Sequence, residues 1–252
     1  MTLLEGRRPT DEGPEQDHAP GEGAEDVPFE EFVYVAPSDP RALPLLTELE
    51  REYNDRYGDI FGEPASEELN RYPEEEFLEP KGAFLLLLRD GVAIAGGAFK
   101  TYDERTTELK RIWASSEHRR QGLAKRVVIE LEDESRRRGF TRSYLTTGPR
   151  QPEAVRLYLA TGWTPLFDVT RPPEQVGIHG FAKSLTTEAL DLPDIQSRHD
   201  ADQAEFLAEN PSFGAALEAG LEAGPGAALE ARPAVDPEPV IEAVRTTDGS
   251  TS

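Results

Sequence analysis

Residues Thr106-Thr107-Glu108-Leu109-Lys110-Arg111-Ile112-Trp113-Ala114 lead through Ser115-Ser116-Glu117-His118 into Arg119-Arg120-Gln121-Gly122-Leu123-Ala124. Polarity alternates in part over Thr106–Ala114, which predicts a strand. Past the polar turn, Leu123, Val127 and Leu131 recur every fourth residue with Ala124 and Val128 beside them. That spacing predicts a helix from Gly122 to Arg138 with one apolar face, stopped by Gly139. A helix start presents unpaired N–H groups and a partial positive charge, so it attracts phosphate. Gly122 lets an anion approach the backbone, and Ala124 leaves the next N–H unobstructed. Arg119 and Arg120 add guanidinium groups, which match phosphate oxygens in shape and charge. Residues 105–142 hold eleven bases against six acids, a positive island suited to a polyanionic ligand. Neither Gly-x-Gly-x-x-Gly nor a Gly-Lys-Ser/Thr P-loop occurs here, so the turn is not a dinucleotide fingerprint or a nucleotide-triphosphate loop.

Outward from this stretch, elements alternate. Phe32–Val35 reads as a strand from its β-branched and aromatic content. Pro40 to about Arg56 places Leu45, Leu46, Leu49 and Tyr53 at helical spacing behind Asp39 as N-cap. Phe84–Leu88 and Val92–Phe99 are apolar runs joined by Arg89-Asp90-Gly91, and Asp-Gly between such runs predicts a tight hairpin. Downstream come a strand at Arg142–Thr146, a helix opened by Pro152 and ended by Gly162, and weaker strands at Thr164–Val169 and Ile178–Lys183. The order predicts one mixed α/β domain over residues 29–186.

The ends differ in composition. Residues 1–28 carry eight acids and two bases, and residues 187–252 carry fourteen acids and three bases. Rich in Glu, Asp, Gly, Pro and Ala, both are expected to be disordered acidic tails. The net charge of −22 argues against nucleic-acid or anionic-membrane binding. The absence of cysteine excludes thiol nucleophiles and disulfides and fits a cytoplasmic protein. No metal-ligand spacing connects the four histidines.

The segment from Glu108 to Ala124 resembles the GNAT superfamily of acetyltransferases, whose pyrophosphate loop reads Arg/Gln-x-x-Gly-x-Gly/Ala. Positions 119, 122 and 124 match it. Gln151-Pro152-Glu153-Ala154-Val155-Arg156-Leu157-Tyr158, followed by Gly162-Trp163, resembles the family's second block. The resemblance implies a GNAT-type twisted central sheet flanked by helices, with acetyl-CoA as cosubstrate and no metal. Ile112, Trp113 and Ala114 would hold the pantetheine arm through their backbone, and Arg119, Arg120, Gln121, Gly122, Leu123 and Ala124 the pyrophosphate. A backbone N–H near Trp113 would serve as oxyanion donor.

Two side chains are candidates for proton transfer. Tyr158 sits where the family places a tyrosine that assists the departing thiolate; its alternative is an aromatic core residue. Glu108 is either the base that deprotonates the amine or an exposed strand residue paired with Lys110 or Arg105. Thr146 stands where similar sequences often carry a glutamate, so the base is open. Residues 58–80 are acidic and would shape the acceptor site, or simply form a solvated face. The implied reaction is direct attack of a primary amine on acetyl-CoA in a ternary complex, in a monomer or homodimer. The alternatives are a catalytically silent acyl-CoA-binding module and a scaffold whose tails bind partners.

Overall fold

The computed structural model describes residues 28–61 and 71–215. Its strands are β1 (Glu30–Tyr34), β2 (Gly82–Arg89), β3 (Val92–Asp103), β4 (Thr106–Ala114), β5 (Arg142–Thr147), β6 (Thr164–Pro165) and β7 (His179–Ser184). Its helices are α1 (Leu43–Phe61), α2 (Leu123–Arg137), α3 (Pro152–Ala160), α4 (Pro173–Val176) and α5 (Leu192–Glu209). The strands form one seven-stranded sheet in the order β1-β2-β3-β4-β5-β7-β6. Neighbours run antiparallel except β4 and β5. A parallel neighbour requires a crossover, and α2 supplies it.

The apolar run of β2 is buried on both faces, which explains why it does not alternate with polar residues. Leu85 and Leu87 face α2 and α3 together with Leu109, Ile112, Val127, Leu131, Leu145 and Tyr158. Phe84, Leu86 and Leu88 face α1, where Leu45, Leu49, Tyr53, Tyr57 and Trp113 close a second core. The β2–β3 hairpin turns as expected at Asp90 (φ 50°) and Gly91 (φ 82°). On the α2 side, Glu132 lies buried and accepts from the Trp163 indole (3.0 Å) and from Lys183 Nζ (2.7 Å).

Two expectations need correction. The strand at Thr164–Val169 shrinks to Thr164–Pro165: one further bond runs from Leu166 N to the Gly180 carbonyl (2.9 Å), and the chain then turns at Asp168, whose carboxylate accepts from Thr170 N at 2.9 Å. The domain does not stop at residue 186. Asp191 caps α5 by accepting from Asp194 N (3.3 Å), and the helix buries Ile195, His199 and Phe206 against the sheet. Tyr144, Leu166, Ala182 and Ile195 form a separate apolar cluster there. Ordered contacts therefore extend well into the stretch expected to be a tail. The expectations for residues 1–27 and 216–252 lie outside the described residues, as do positions 62–70 of the acidic segment. No helix among the described residues is long and apolar enough to cross a membrane.

Candidate active site

The one parallel pair in the sheet is short. β4 and β5 pair only at Thr106↔Arg142, Thr107↔Ser143 and Glu108↔Tyr144. Beyond that point the two strands part, leaving Ile112–Ala114 and Leu145–Thr147 as the lips of a split. A bulge in β4 sets its lip. Arg111 takes φ 59°, and the pairing with β3 skips from Lys110 to Trp113 across Gly96 and Ala98. Bulges of this kind bend a strand and re-aim its backbone.

At the end of the β4 lip the chain makes a tight turn into α2, with Arg120 at φ 61° and Gly122 at φ 69°. Gly122 is the N-cap in left-handed conformation, a geometry glycine adopts without steric cost. Its N-cap position leaves the first N–H groups of α2 without intrahelical partners. Arg89 donates to Gln121 Oε1 at 2.6 Å, tying the end of β2 to the turn. Arg119 Nε is buried with no hydrogen-bond partner among the described residues.

The β5 lip carries a matching orphan. Gln151 is buried, and its Oε1 accepts from Gly148 N (2.9 Å) and Thr147 Oγ1 (2.8 Å). Its Nε2 has no hydrogen-bond partner among the described residues. Two buried donors without acceptors, one on each lip, fit a ligand rich in oxygen acceptors, such as a pyrophosphate joined to an amide-bearing arm. Behind Gln151, α3 holds Tyr158 fully buried, its ring 5.8 Å from that of Trp163 and 5.4 Å from that of Phe181.

On the opposite face α1 spans the split. Glu48 accepts from the Trp113 indole (2.8 Å) and Ser116 N (3.1 Å), anchoring α1 to the end of β4. Two turns further on, Arg56 pairs with Glu52 and with Glu153 at the start of α3. Arg56 donates to the carbonyl of Arg150, Arg150 donates back to the carbonyl of Arg56, and Arg150 N donates to Tyr57 Oη at 3.2 Å. Burial raises the Glu52 carboxyl from 4.5 to about 7, with Arg56 opposing the rise and Glu153 adding to it. The folded protein therefore holds a proton on Glu52 more tightly than the unfolded chain does, and stability falls as pH rises from about 4.5 to about 7. Glu52→Gln is expected to lose this slope and to gain up to about 3 kcal/mol over wild type above pH 7, with little gain at pH 4.5. Urea melts at both ends of the window check it; parallel stability curves for the two proteins contradict it.

Glu108 lies where the split closes, on the face of α1. It is 1% exposed and ion-paired to Lys110 (2.8 Å) and Lys100 (3.2 Å), with the Tyr72 ring 4.8 Å from the Lys100 ammonium and 5.4 Å from that of Lys110. The exposed-strand alternative is thus replaced by a buried cluster, and Arg105 instead reaches Glu188 at 3.5 Å. The sequence-predicted residues accordingly group in three places. Ile112–Ala114 and Arg119–Ala124 form one lip, Tyr158 lies behind the other, and Glu108 lies at the closed end. Sequence reasoning missed Lys100, the Gln151 amide and the Glu52–Arg56–Glu153 bridge. His179 packs edge-on against Phe167 at 4.5 Å, and Trp163 is part of the core on the α2 and α3 side.

Comparison with known proteins places this arrangement in a class. Residues 46–163 match the family model described as Acetyltransferase (GNAT) family. An uncharacterised N-acetyltransferase of Bacillus subtilis, YsnE, is 34% identical over 93 residues, covering 34% of this chain and 62% of that protein. N-acetyltransferase 8 of Rattus norvegicus is 33% identical over 95 residues, 35% of this chain and 43% of that protein. The match thus spans less than two thirds of either relative's length. A GNAT-family acetyltransferase structure from Staphylococcus aureus Mu50 superimposes with a TM-score of 0.50 at 13% identity, over 63% of this chain and all of that one. That likeness concerns the fold. Residues 46–163 of the chain are thus similar to the GNAT acetyltransferases.

Proposed function

We propose that this protein transfers an acetyl group from acetyl-CoA to a primary amine, by direct attack within a ternary complex. The observation that carries the reading is the split between β4 and β5, with an anion-binding turn at its end and an orphaned buried donor on each lip. Ile112, Trp113 and Ala114 present the β4 backbone to a pantetheine arm. Arg119, Arg120, Gln121, Gly122, Leu123 and Ala124 receive the pyrophosphate, and Gln151 Nε2 donates from across the split. Bound there, acetyl-CoA supplies an activated acyl group as a thioester. A backbone N–H near Trp113, fixed by the bulge, stabilises charge developing on the carbonyl oxygen. Tyr158 donates toward the departing sulfur. Glu108, held by two lysines, provides a fixed carboxylate on the face from which the amine enters. Holding the two reactants together supplies much of the rate, and no covalent enzyme intermediate is needed. The absence of cysteine fits a cytoplasmic setting for this activity.

The test is acetyl-CoA-dependent thiol release by the full chain across small amines, polyamines, amino acids and lysine peptides. Release with at least one amine, with matching acetylated product, supports the reading. Acetyl-CoA binding without release across the panel favours a silent acyl-CoA-binding module.

A further inference from the structure

The family match ends at residue 163, whereas α5 begins at Leu192. This added helix packs on β5 and β7, on the same sheet face as α1, with Ile195 against Tyr144 and Ala182. Under α5 lies a cavity of about 10 Å³, room for one water molecule, lined by Tyr144, Thr146 and Ile178 from the sheet side and by His199, Asp202, Gln203 and Phe206 of α5. Thr146 stands two residues past Tyr144, the last β5 residue paired with β4, so the cavity flanks the split.

His199 is 2% exposed, and its Nδ1 lies 2.9 Å from Tyr144 Oη. The ring has been given its seat by the strand beneath. A Cβ added to Gly180 would lie 2.6 Å from His199 Nδ1 and Cε1, so a side chain there would displace the imidazole. Asp202, three residues along α5, accepts from Tyr102 Oη at 2.6 Å, and the Tyr102 and Tyr144 rings lie 5.2 Å apart. The titratable groups that line the cavity beside His199 are Tyr144 from β5 and Asp202 from α5, with Tyr102 from β3 bonded to Asp202. β7 contributes the Gly180 backbone, and no lysine or arginine lines the cavity. A buried imidazole oriented by a hydroxyl, near a carboxylate and beside a reaction cleft, has the arrangement of a general base.

We propose that His199 is the proton acceptor for the incoming amine, acting through one water in this cavity; the proposal rests on the acetyl-transfer reading above. In the tautomer whose Nδ1–H donates to Tyr144 Oη, Nε2 is the ring nitrogen that takes up the proton. The substrate ammonium passes a proton to the water as the water passes one to Nε2, and Asp202 favours the imidazolium that results. The neutral amine forms the C–N bond to the thioester carbonyl carbon, and the C–S bond breaks with its electron pair on sulfur. The nitrogen's surplus proton ends on that thiolate, and His199 returns its own to solvent.

The experiment uses the full chain and the best amine from the thiol-release panel. His199→Asn is expected to lower kcat by at least about 100-fold, the lower end of general-base assistance, and to remove the acidic limb of the pH–rate profile. Acetyl-CoA affinity and the thermal melt should stay near wild type. A kcat within about threefold of wild type with the limb intact overturns the proposal. If His199→Asn loses its cooperative melt, Tyr144→Phe decides, because it must displace the acidic limb; an unmoved limb overturns the role. A second readout needs no turnover. The His199 Cε1 proton resonance in ligand-free protein must titrate within roughly pH 5–8, and Tyr144→Phe must move its midpoint. A resonance that does not titrate there overturns the proposal. Wild-type turnover with an unaffected variant removes only His199; acetyl-CoA binding without turnover for any amine removes the acetyl-transfer reading itself.

Discussion

Gly122→Glu is expected to abolish acetyl-CoA binding while the protein still melts cooperatively. A Cβ added at Gly122 meets nothing within 4 Å, so the new carboxylate projects into open space at the anion-binding turn rather than into the core. Two unit charges about 4 Å apart at an effective dielectric of about 20 repel by about 4 kcal/mol, on the order of several hundredfold in affinity. The positive φ of 69° adds strain of roughly 1–2 kcal/mol for an L residue, a local effect at the surface of α2. Gly122→Asn separates the two contributions, because asparagine tolerates the left-handed conformation and carries no charge. Calorimetric titration with acetyl-CoA should give affinity near wild type for asparagine and none measurable for glutamate. Wild-type affinity in Gly122→Glu would place the coenzyme elsewhere.

Much of the fold was legible because its signals are local. The unbroken apolar run Phe84–Leu88 announces a strand covered on both faces, and Asp90-Gly91 can turn only where φ is positive. The four-residue rhythm of Leu123, Val127 and Leu131 gives α2 within one residue at either end. α5 was not read because its buried positions, Ile195, His199 and Phe206, lie four and seven residues apart with a histidine among them. Such a stripe is too sparse to stand out from an acidic tail. The signal that could have found it is Asp191-Leu192-Pro193-Asp194, an N-cap followed by a first-turn proline and an acid.

The site divides in the same way. The turn Arg119–Ala124 is contiguous in sequence, so its residues could be read together. Glu108, Lys100 and Lys110 were a different problem, since charged residues on a strand ordinarily face water. Their burial depends on β3 and β4 pairing Lys100 opposite Glu108, a register that no local pattern states. The Glu52–Arg56–Glu153 bridge likewise joins α1 to α3 across about a hundred residues of chain, where only the folded topology brings the charges together. Local motifs mark a turn that can be read from sequence, whereas charges assembled from distant elements appear only with the tertiary structure.

Tyr158→Phe is expected to lower turnover by about 10²–10⁴-fold, the usual worth of a positioned proton donor, with acetyl-CoA affinity nearly unchanged. The ring is fully buried between Trp163 and Phe181, and phenylalanine keeps those packing contacts. Loss of one hydroxyl should shift stability by only about 1 kcal/mol. A large fall in kcat against a small shift in melting therefore separates chemistry from packing. Steady-state kinetics with the best amine, run beside coenzyme titration, makes the measurement. The pattern matters as much as the size, because an interaction made only in the transition state lowers kcat and kcat/KM together. Small amines and lysine peptides should suffer alike, since the departing group is the same coenzyme thiolate for every acceptor. A rate within about threefold of wild type would leave Tyr158 as core and sink its catalytic assignment. In that case the thiolate would take its proton from solvent, and the proposed acetyl-CoA site at the split and the turn would be untouched by the result.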